Sequence, residues 1–232
     1  MPLNRQKKQH RASLTTYTTY EVTMDKRFKV LMLNGSPREN GNTAVAFSEM
    51  KKVFDELNVG YEVIELGRKN IRGCIACGSC ANTGKCVFDD AVNEIAGKFE
   101  QADALVVGSP VYYGCANATL VAAMQRLFYS SHFDKSFKVG ASVVSARRSG
   151  CTATFDELNK FFTIAGMPVA TSRYWNNIHG GAPGEAAADE EGRQTMRVLA
   201  RNIVFLMESI ALGREKNGLP EKEENVWTNF IR

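Results

Sequence analysis

Five short apolar runs punctuate the chain from residue 28 onward: FKVLML (28 to 33), YEVIEL (61 to 66), ALVVGS (104 to 109), KVGASVVS (138 to 145) and PVATSRYW (168 to 175). Between them the apolar period changes. Ala46, Met50, Val53, Phe54 and Leu57 recur at helical spacing after the first run, and Leu120, Met124, Leu127 and Phe128 do so after the third. Met196, Leu199, Ile203, Leu206, Met207 and Ile210 form a longer stripe that Gly213 is expected to end. Strand and helix signals in alternation predict βαβ units, hence an α/β chain whose parallel sheet has five strands. Right-handed crossovers make such a sheet doubly wound, and its ligand lies beyond the carboxyl ends of the strands, where strand order reverses.

Composition narrows the function classes. The net charge of +4 traces to Arg5, Lys7, Lys8 and Arg11; taking these four from the 29 basic residues leaves 25, matching the 25 acidic ones. A formally neutral body lacks the clustered basic footprint of a nucleic-acid binder. No stretch of eighteen apolar residues occurs, so no membrane span is expected. Residues 1 to 26 are rich in Ser, Thr, Lys and Arg and read as a disordered extension ahead of the folded body, with Met24 an alternative start. Six cysteines, four of them crowded, without a secretory signal favour metal or redox chemistry in a reducing, cytoplasmic setting.

The segments leaving the carboxyl ends of the strands therefore carry the chemistry. NGSPRENGNTA (34 to 44) has the composition of an anion loop: backbone N–H groups and a helix N-terminus converge there, with Ser36, Arg38, Asn42 and Thr43 as side-chain donors. It is no Walker A loop, because five residues separate Gly35 from Gly41 and no lysine follows. No G-x-G-x-x-G occurs either, which removes the main support for a dinucleotide-binding Rossmann fold.

GSPRENGNT followed by SPVYYG resembles the NADPH-dependent FMN reductase family of the flavodoxin-like superfamily, over about Lys29 to Gly213. The resemblance implies a three-layer αβα domain over residues 27 to 213 with a C-terminal tail over 214 to 232. It also implies FMN as cofactor, with Ser36, Arg38, Asn42, Thr43 and Ala44 at its phosphate and Pro110, Val111, Tyr112, Tyr113 and Gly114 at its ring. From the residues themselves, Pro110 fixes φ, Gly114 lets backbone approach closely, and a tyrosine can cover a flat ring. SARRSG (145 to 150) occupies the place where family members complete the flavin pocket, which nominates Ser145, Arg147 and Gly150. Arg147 or Arg148 would stabilise a reduced anionic ring, receive nicotinamide phosphates, or simply be solvated. Asn117 and His179 are further candidates near the mouth, whereas Cys115 and Cys151 are expected to pack as small buried residues.

Cys74, Cys77, Cys80 and Cys86 follow C-x2-C-x2-C-x5-C. Zinc sites usually join two separated pairs, and this compact run fits a cubane better. Val87, rather than proline, follows the last cysteine, unlike two-cluster ferredoxins. The motif resembles that of the iron-sulfur flavoprotein subgroup of the same family, which implies a [4Fe–4S] cluster exchanging electrons with FMN. Zinc, oxidised pairs and free thiols remain alternatives. The activity so implied is transfer from NADPH or NADH through FMN to a quinone, azo or nitro compound, or through the cluster to a redox protein, by a homodimer or homotetramer. The chemistry requires no acid or base residue. A flavodoxin-type carrier is the rival reading, weakened by the neutral charge, and a zinc-stabilised module is another.

Overall fold

The computed structural model describes residues 27 to 230, and the expected N-terminal extension lies outside them. In chain order the elements are β1 (Lys29–Asn34), α1 (Asn42–Glu56), β2 (Gly60–Glu65), α2 (Cys80–Thr83), α3 (Ala91–Glu100), β3 (Ala104–Tyr112), β4 (Cys115–Ala116), α4 (Ala118–Ser130), β5 (Val139–Ala146), α5 (Cys151–Ile164), β6 (Asn177–His179), a short 3-10 turn (Glu185–Ala188) and α6 (Glu190–Asn217). Five strands pair in parallel in the order β2-β1-β3-β5-β6, and β4 folds back antiparallel on the end of β3. The chain leaves β1 for β2 on one side and returns to place β3 on the other. Strand order thus reverses between β1 and β3.

Helical period sorts the helices onto the two faces. Ala46, Met50, Val53 and Phe54 of α1 pack with Met196, Leu199, Ile203 and Met207 of α6 against Val30, Met32, Val106 and Val143. The opposite core joins Val92, Ile95 and Phe99 of α3, Leu120, Met124 and Leu127 of α4, and Leu158 and Phe162 of α5 over Leu31, Leu33, Leu105 and Val107. The alternation of β1 residues between the two cores is the period-two pattern of a strand covered on both sides. Each such aliphatic side chain removed from water contributes about 1.5–3 kcal/mol.

Three expectations need correction. The fifth strand is Asn177–His179, not 168 to 175, which makes a single bridge, Gly140 to Val169. The chain then leaves the sheet, and the Asn176 side chain takes the vacated ladder position by donating to Ser142 O at 3.0 Å. Leu57 caps α1 and is exposed, one residue past the helix and three past Phe54, the last buried residue of the stripe. Gly213 does not end α6, which continues to Asn217 before Gly218, so the helix crosses the expected start of the tail. Asp189 caps its first turn, Glu190 and Glu191 stand there, and Arg214 and Lys216 stand in its last turn, a charge order that suits the helix dipole.

Candidate functional site

The loop from β1 to α1 lies at the strand-order reversal. Asn34 is buried; its Oδ1 accepts from Ser36 N at 3.0 Å, while its Nδ2 has no hydrogen-bond partner among the described residues. Ser36 Oγ accepts from Arg38 N and donates to Arg38 O, each at 3.2 Å, so this hydroxyl shapes the loop. Gly41 is the N-cap of α1 and supplies no side chain, and no acceptor among the described residues takes the N–H groups of Asn42 and Thr43. Ala44 N donates to Gly41 O at 3.0 Å and is spent inside the first turn. The Thr43 hydroxyl shares a 2.8 Å bond with Ser145 Oγ, both buried. Asn42 faces away from the loop: its Nδ2 donates to Gly180 O at 2.8 Å and its Oδ1 accepts from Ala186 N at 3.0 Å. The donors left over are Asn34 Nδ2, two N–H groups at a helix N-terminus and the exposed Arg38 guanidinium, a set suited to an anion.

The segment after β3 is a tight hairpin. Tyr112 pairs with Cys115, and Tyr113 and Gly114 form the two-residue turn with φ of 51° and 78°, the left-handed pair that a type I′ turn requires. Tyr113 stands fully exposed at the tip and Tyr112 is 42% exposed. Gly150, at the start of α5, lies against this hairpin: a Cβ there would meet Val111 Cγ1 at 2.8 Å and Gly114 Cα at 3.1 Å. Arg147 lies near Gly181 and adds its charge to Glu185. The Glu185 carboxylate accepts from Gly181 N and Ala182 N at 2.6 and 2.7 Å, and those bonds, then Arg147, hold it below the ordinary carboxylate range. Contacts from Asn42 to Gly180, from Gly181 to Arg147 and from Gly150 to Gly114 therefore join the loops into a rim around the reversal point.

Some candidates fall elsewhere. Asn117 is neither a free contact nor an exposed helix residue: it is the buried cap of α4, accepting from Thr119 N and Leu120 N. His179 lies beyond the rim in an open cleft of about 310 Å³ with Tyr174, Trp175 and Thr195, its N–H donated to Asp189. Cys151 is buried as expected, and burial pushes its thiol pKa up. Cys115 is exposed instead, because hairpin pairing turns it outward opposite Tyr112.

All four clustered cysteines line one cavity, with Phe88, Arg126 and Tyr129 completing its wall. Its inner space is about 20 Å³ and widens to about 350 Å³ with the open mouth included. Cys74 and Cys77 are exposed, Cys80 is buried and Cys86 is between. Positive φ at Ala76 (53°) and Gly78 (72°) curls the loop, and Ala76 N donates to Cys74 Sγ at 3.4 Å. Among the described residues no three His, Cys, Asp or Glu side chains are gathered so as to hold a metal ion. Thiols are the donor type that iron–sulfur clusters use, and these four share one cavity.

A family model described as NADPH-dependent FMN reductase matches residues 28–182. The chain belongs to that family. It is 34% identical over 190 residues to an iron-sulfur flavoprotein of Methanocaldococcus jannaschii, covering 78% of this chain and 98% of the relative. It is 31% identical over 193 residues to the iron-sulfur flavoprotein of Methanosarcina thermophila, covering 81% and 100%. Its fold superposes on RosB, solved with a bound riboflavin-phosphate intermediate, at TM-score 0.64 and 15% identity over 88% of this chain and 94% of that one. An NAD(P)H:quinone oxidoreductase from Methanothermobacter marburgensis follows at 0.59 and 18%, over 76% and 96%. The architecture is flavodoxin-like, and family membership makes the protein an FMN-binding oxidoreductase.

Sequence reasoning passed over several residues that shape these sites. Asn34 opens the NGSPRENGNTA segment, but as the last residue of β1 it was not among the donors expected there. Gly67 has its Cα against the Ser36–Pro37 peptide; a Cβ would fall 2.1 Å from Ser36 C. Arg126 sits mid-helix, where a lone arginine reads as solvated, yet it is 1% exposed and forks Asp90 at 2.6 and 2.9 Å. Burial pushes the Asp90 carboxyl up, but the Arg126 fork and the Val92 N–H outweigh it and lower its pKa. Asn93 clamps the Cys86 backbone, accepting from its N at 2.9 Å and donating to its O at 3.0 Å. Only the i, i+3 relation of Asp90 and Asn93 at a helix start was available as a signal.

Proposed function

We propose that the protein is an FMN-dependent NAD(P)H oxidoreductase that passes electrons to a small acceptor, a quinone, azo or nitro compound, or through a [4Fe–4S] cluster to a redox protein. The observation that carries the reading is the set of unfilled donors at the strand-order reversal: buried Asn34 Nδ2 and the N–H groups of Asn42 and Thr43, beside an exposed Arg38 with no partner among the described residues. Held there, FMN would supply hydride acceptance from reduced nicotinamide and release of electrons one or two at a time.

The chain's own work is binding and orientation. Arg38 and the α1 N-terminus hold the phosphate, with Ser36 keeping the loop in shape and the buried Thr43–Ser145 bond fixing the helix against β5. Pro110, Val111, Tyr112, Tyr113 and Gly114 form the wall for the ring, and the 147–150 segment packed on that hairpin limits how far it opens. Arg147 and its neighbour Arg148 offer positive charge on the same rim, for the reduced ring or the nicotinamide phosphates. Cys74, Cys77, Cys80 and Cys86, which line one cavity, would hold the cluster, and it would supply one-electron exchange. The helix rise puts the Cα of Arg126 roughly 14 Å along α4 from Asn117 at the hairpin foot. Exposed Ile75, Val87 and Tyr129 around the cavity mouth support a homodimer or homotetramer in which a neighbouring copy covers it.

The test is an anaerobic absorption spectrum of freshly prepared protein, with FMN, iron and zinc assays, before and after NADPH. A yellow protein that bleaches with NADPH supports the enzyme. Protein that is never yellow and takes up no FMN overturns it, and bound flavin that NADPH leaves oxidised favours the carrier. Cys77→Ser is expected to remove iron and leave FMN in place.

A further inference from the structure

We infer that Arg126 sets the reduction potential of the cysteine site: its buried Nε–H, held on Cys86 Sγ, stabilises the more negative, reduced state of the group that the four thiolates bind. This inference rests on Cys74, Cys77, Cys80 and Cys86 being the ligands of one iron–sulfur cluster. The donor geometry is fixed from both sides. Arg126 Nε lies 3.2 Å from Cys86 Sγ. Its two terminal nitrogens fork the Asp90 carboxylate at 2.6 and 2.9 Å, and one of them also reaches Arg72 O at 3.3 Å. The guanidinium cannot swing off the sulfur without leaving Asp90. Asp90 is itself the N-cap of α3, bonded by Val92 N at 3.1 Å, and the Phe88 ring lies 5.0 Å from the guanidinium carbon. On the acceptor side, Asn93 of α3 holds both backbone groups of Cys86.

A structural salt bridge between α3 and α4 would need Arg126 and Asp90 alone. It would not need the third donor aimed at a thiol, nor a separate clamp on that thiol's backbone. Asp90 balances the Arg126 charge at longer range, so what reaches the cluster is the near, positive end of a fixed dipole and a directed N–H···S bond. Hydrogen bonds to cluster sulfurs are among the factors that set iron–sulfur potentials. In the step affected, one electron leaves the reduced flavin and enters the cluster, and no bond forms or breaks. A four-thiolate [4Fe–4S] unit then passes from dianion to trianion. A fixed donor stabilises the trianion more than the dianion, because charge-assisted hydrogen bonds strengthen with the acceptor's charge. The potential is thereby raised, and electron flow from flavin to cluster is favoured.

The experiment is a mediated spectroelectrochemical titration of the anaerobic holoprotein, wild type and two variants, with iron and FMN assayed in each sample. Arg126→Lys keeps the charge but cannot both fork Asp90 and reach Cys86. Arg126→Gln combined with Asp90→Asn removes both charges and strands no carboxylate. In both variants, with iron and FMN contents and the flavin potential as in wild type, the cluster potential is expected to fall. The shift should move electron sharing about tenfold toward the flavin, which is about 59 mV for a one-electron couple. A wild-type cluster potential in an iron-replete variant overturns the inference, as does loss of iron from both variants, which would make Arg126 a structural prop. Wild-type protein that never contains iron overturns the cluster reading instead, and that result is read before any variant is compared.

Discussion

Gly67→Ala is expected to weaken FMN binding by displacing the anion loop while leaving every donor side chain in place. The loop after β2 runs with Gly67 against the peptide joining Ser36 and Pro37, and Arg68 Nε bonds Pro37 O at 2.7 Å beside it. A Cβ on residue 67 would lie 2.1 Å from Ser36 C, 2.2 Å from Ser36 O and 2.3 Å from Pro37 N, all backbone atoms. Ordinary contact between carbons begins at about 3.5 Å, so the two backbones must part by roughly 1.4 Å. Part of that separation falls on the anion loop, where a bond of about 2.9 Å lengthened by even half as much passes out of hydrogen-bond range. Hydrogen bonds to a charged group are worth about 1.5–3 kcal/mol each. Losing one raises the FMN dissociation constant about tenfold or more, at about 1.4 kcal/mol per decade. The overpacking itself costs about 1–3 kcal/mol of stability.

The assay is titration of apoprotein with FMN, followed by flavin fluorescence, together with urea unfolding. Gly213→Ala is the internal comparison: its Cβ points into open space within α6, so it should leave the FMN dissociation constant unchanged and gain about 1 kcal/mol of helix stability. A Gly67→Ala protein that binds FMN as tightly as wild type and unfolds at the same urea concentration would refute the packing of residue 67 on the anion loop.

Thr43→Val leaves the Ser145 hydroxyl buried without its 2.8 Å partner and should cost about 1–3 kcal/mol by urea unfolding, with Ser145→Ala in the same chain recovering part of the loss. Asn117→Ala removes the cap that accepts two N–H groups of α4 and should lower stability by about 1 kcal/mol, again by urea unfolding. Burial pushes the Glu49 carboxyl up, but hydrogen bonds from Lys52 and Arg197 and the nearby Arg193 outweigh it, so its pKa falls below the ordinary 4.5. A depressed folded pKa means a contribution complete above about pH 4.5 and lost as pH falls through the folded value. Thermal melts from pH 7 to pH 3 should therefore show Glu49→Gln less stable than wild type at neutral pH, with the gap narrowing below about pH 4.5; a constant gap would contradict the assignment.

What the residue pattern announced correctly is what period alone can encode. Strands buried on both faces read as unbroken apolar runs, which placed β1, β3 and β5 within a few residues. The stripe on α6 gave its buried face, since Met196, Leu199, Ile203 and Met207 are all in the core. The last strand failed for a local reason. Tyr174 and Trp175 looked like strand aromatics but are exposed, because the Ser172 hydroxyl donates to Tyr174 O at 2.6 Å and accepts from Tyr174 N, folding the segment into a turn. A side chain competing for backbone bonds is invisible to a hydrophobicity pattern.

The site divides along the same line. Loop composition singled out the 34–44 loop, the 110–114 segment and the four cysteines as candidates, because glycines, amides and thiols are chemically distinctive residues. What composition did not carry is the internal bonding of those side chains: Asn42 ties two loops together, Ser36 shapes its own turn, and Thr43 grips β5. These side chains are consumed in holding backbone N–H groups where a ligand can use them, and such a division of labour follows from physics. A side chain on a flexible tether must be frozen at each binding event, whereas a main-chain amide at a helix start is already fixed. The residues that do the fixing, Gly67 against Ser36 and Asp90 behind Arg126, sit far along the chain from the groups they position. They became visible only when the fold put their atoms in contact.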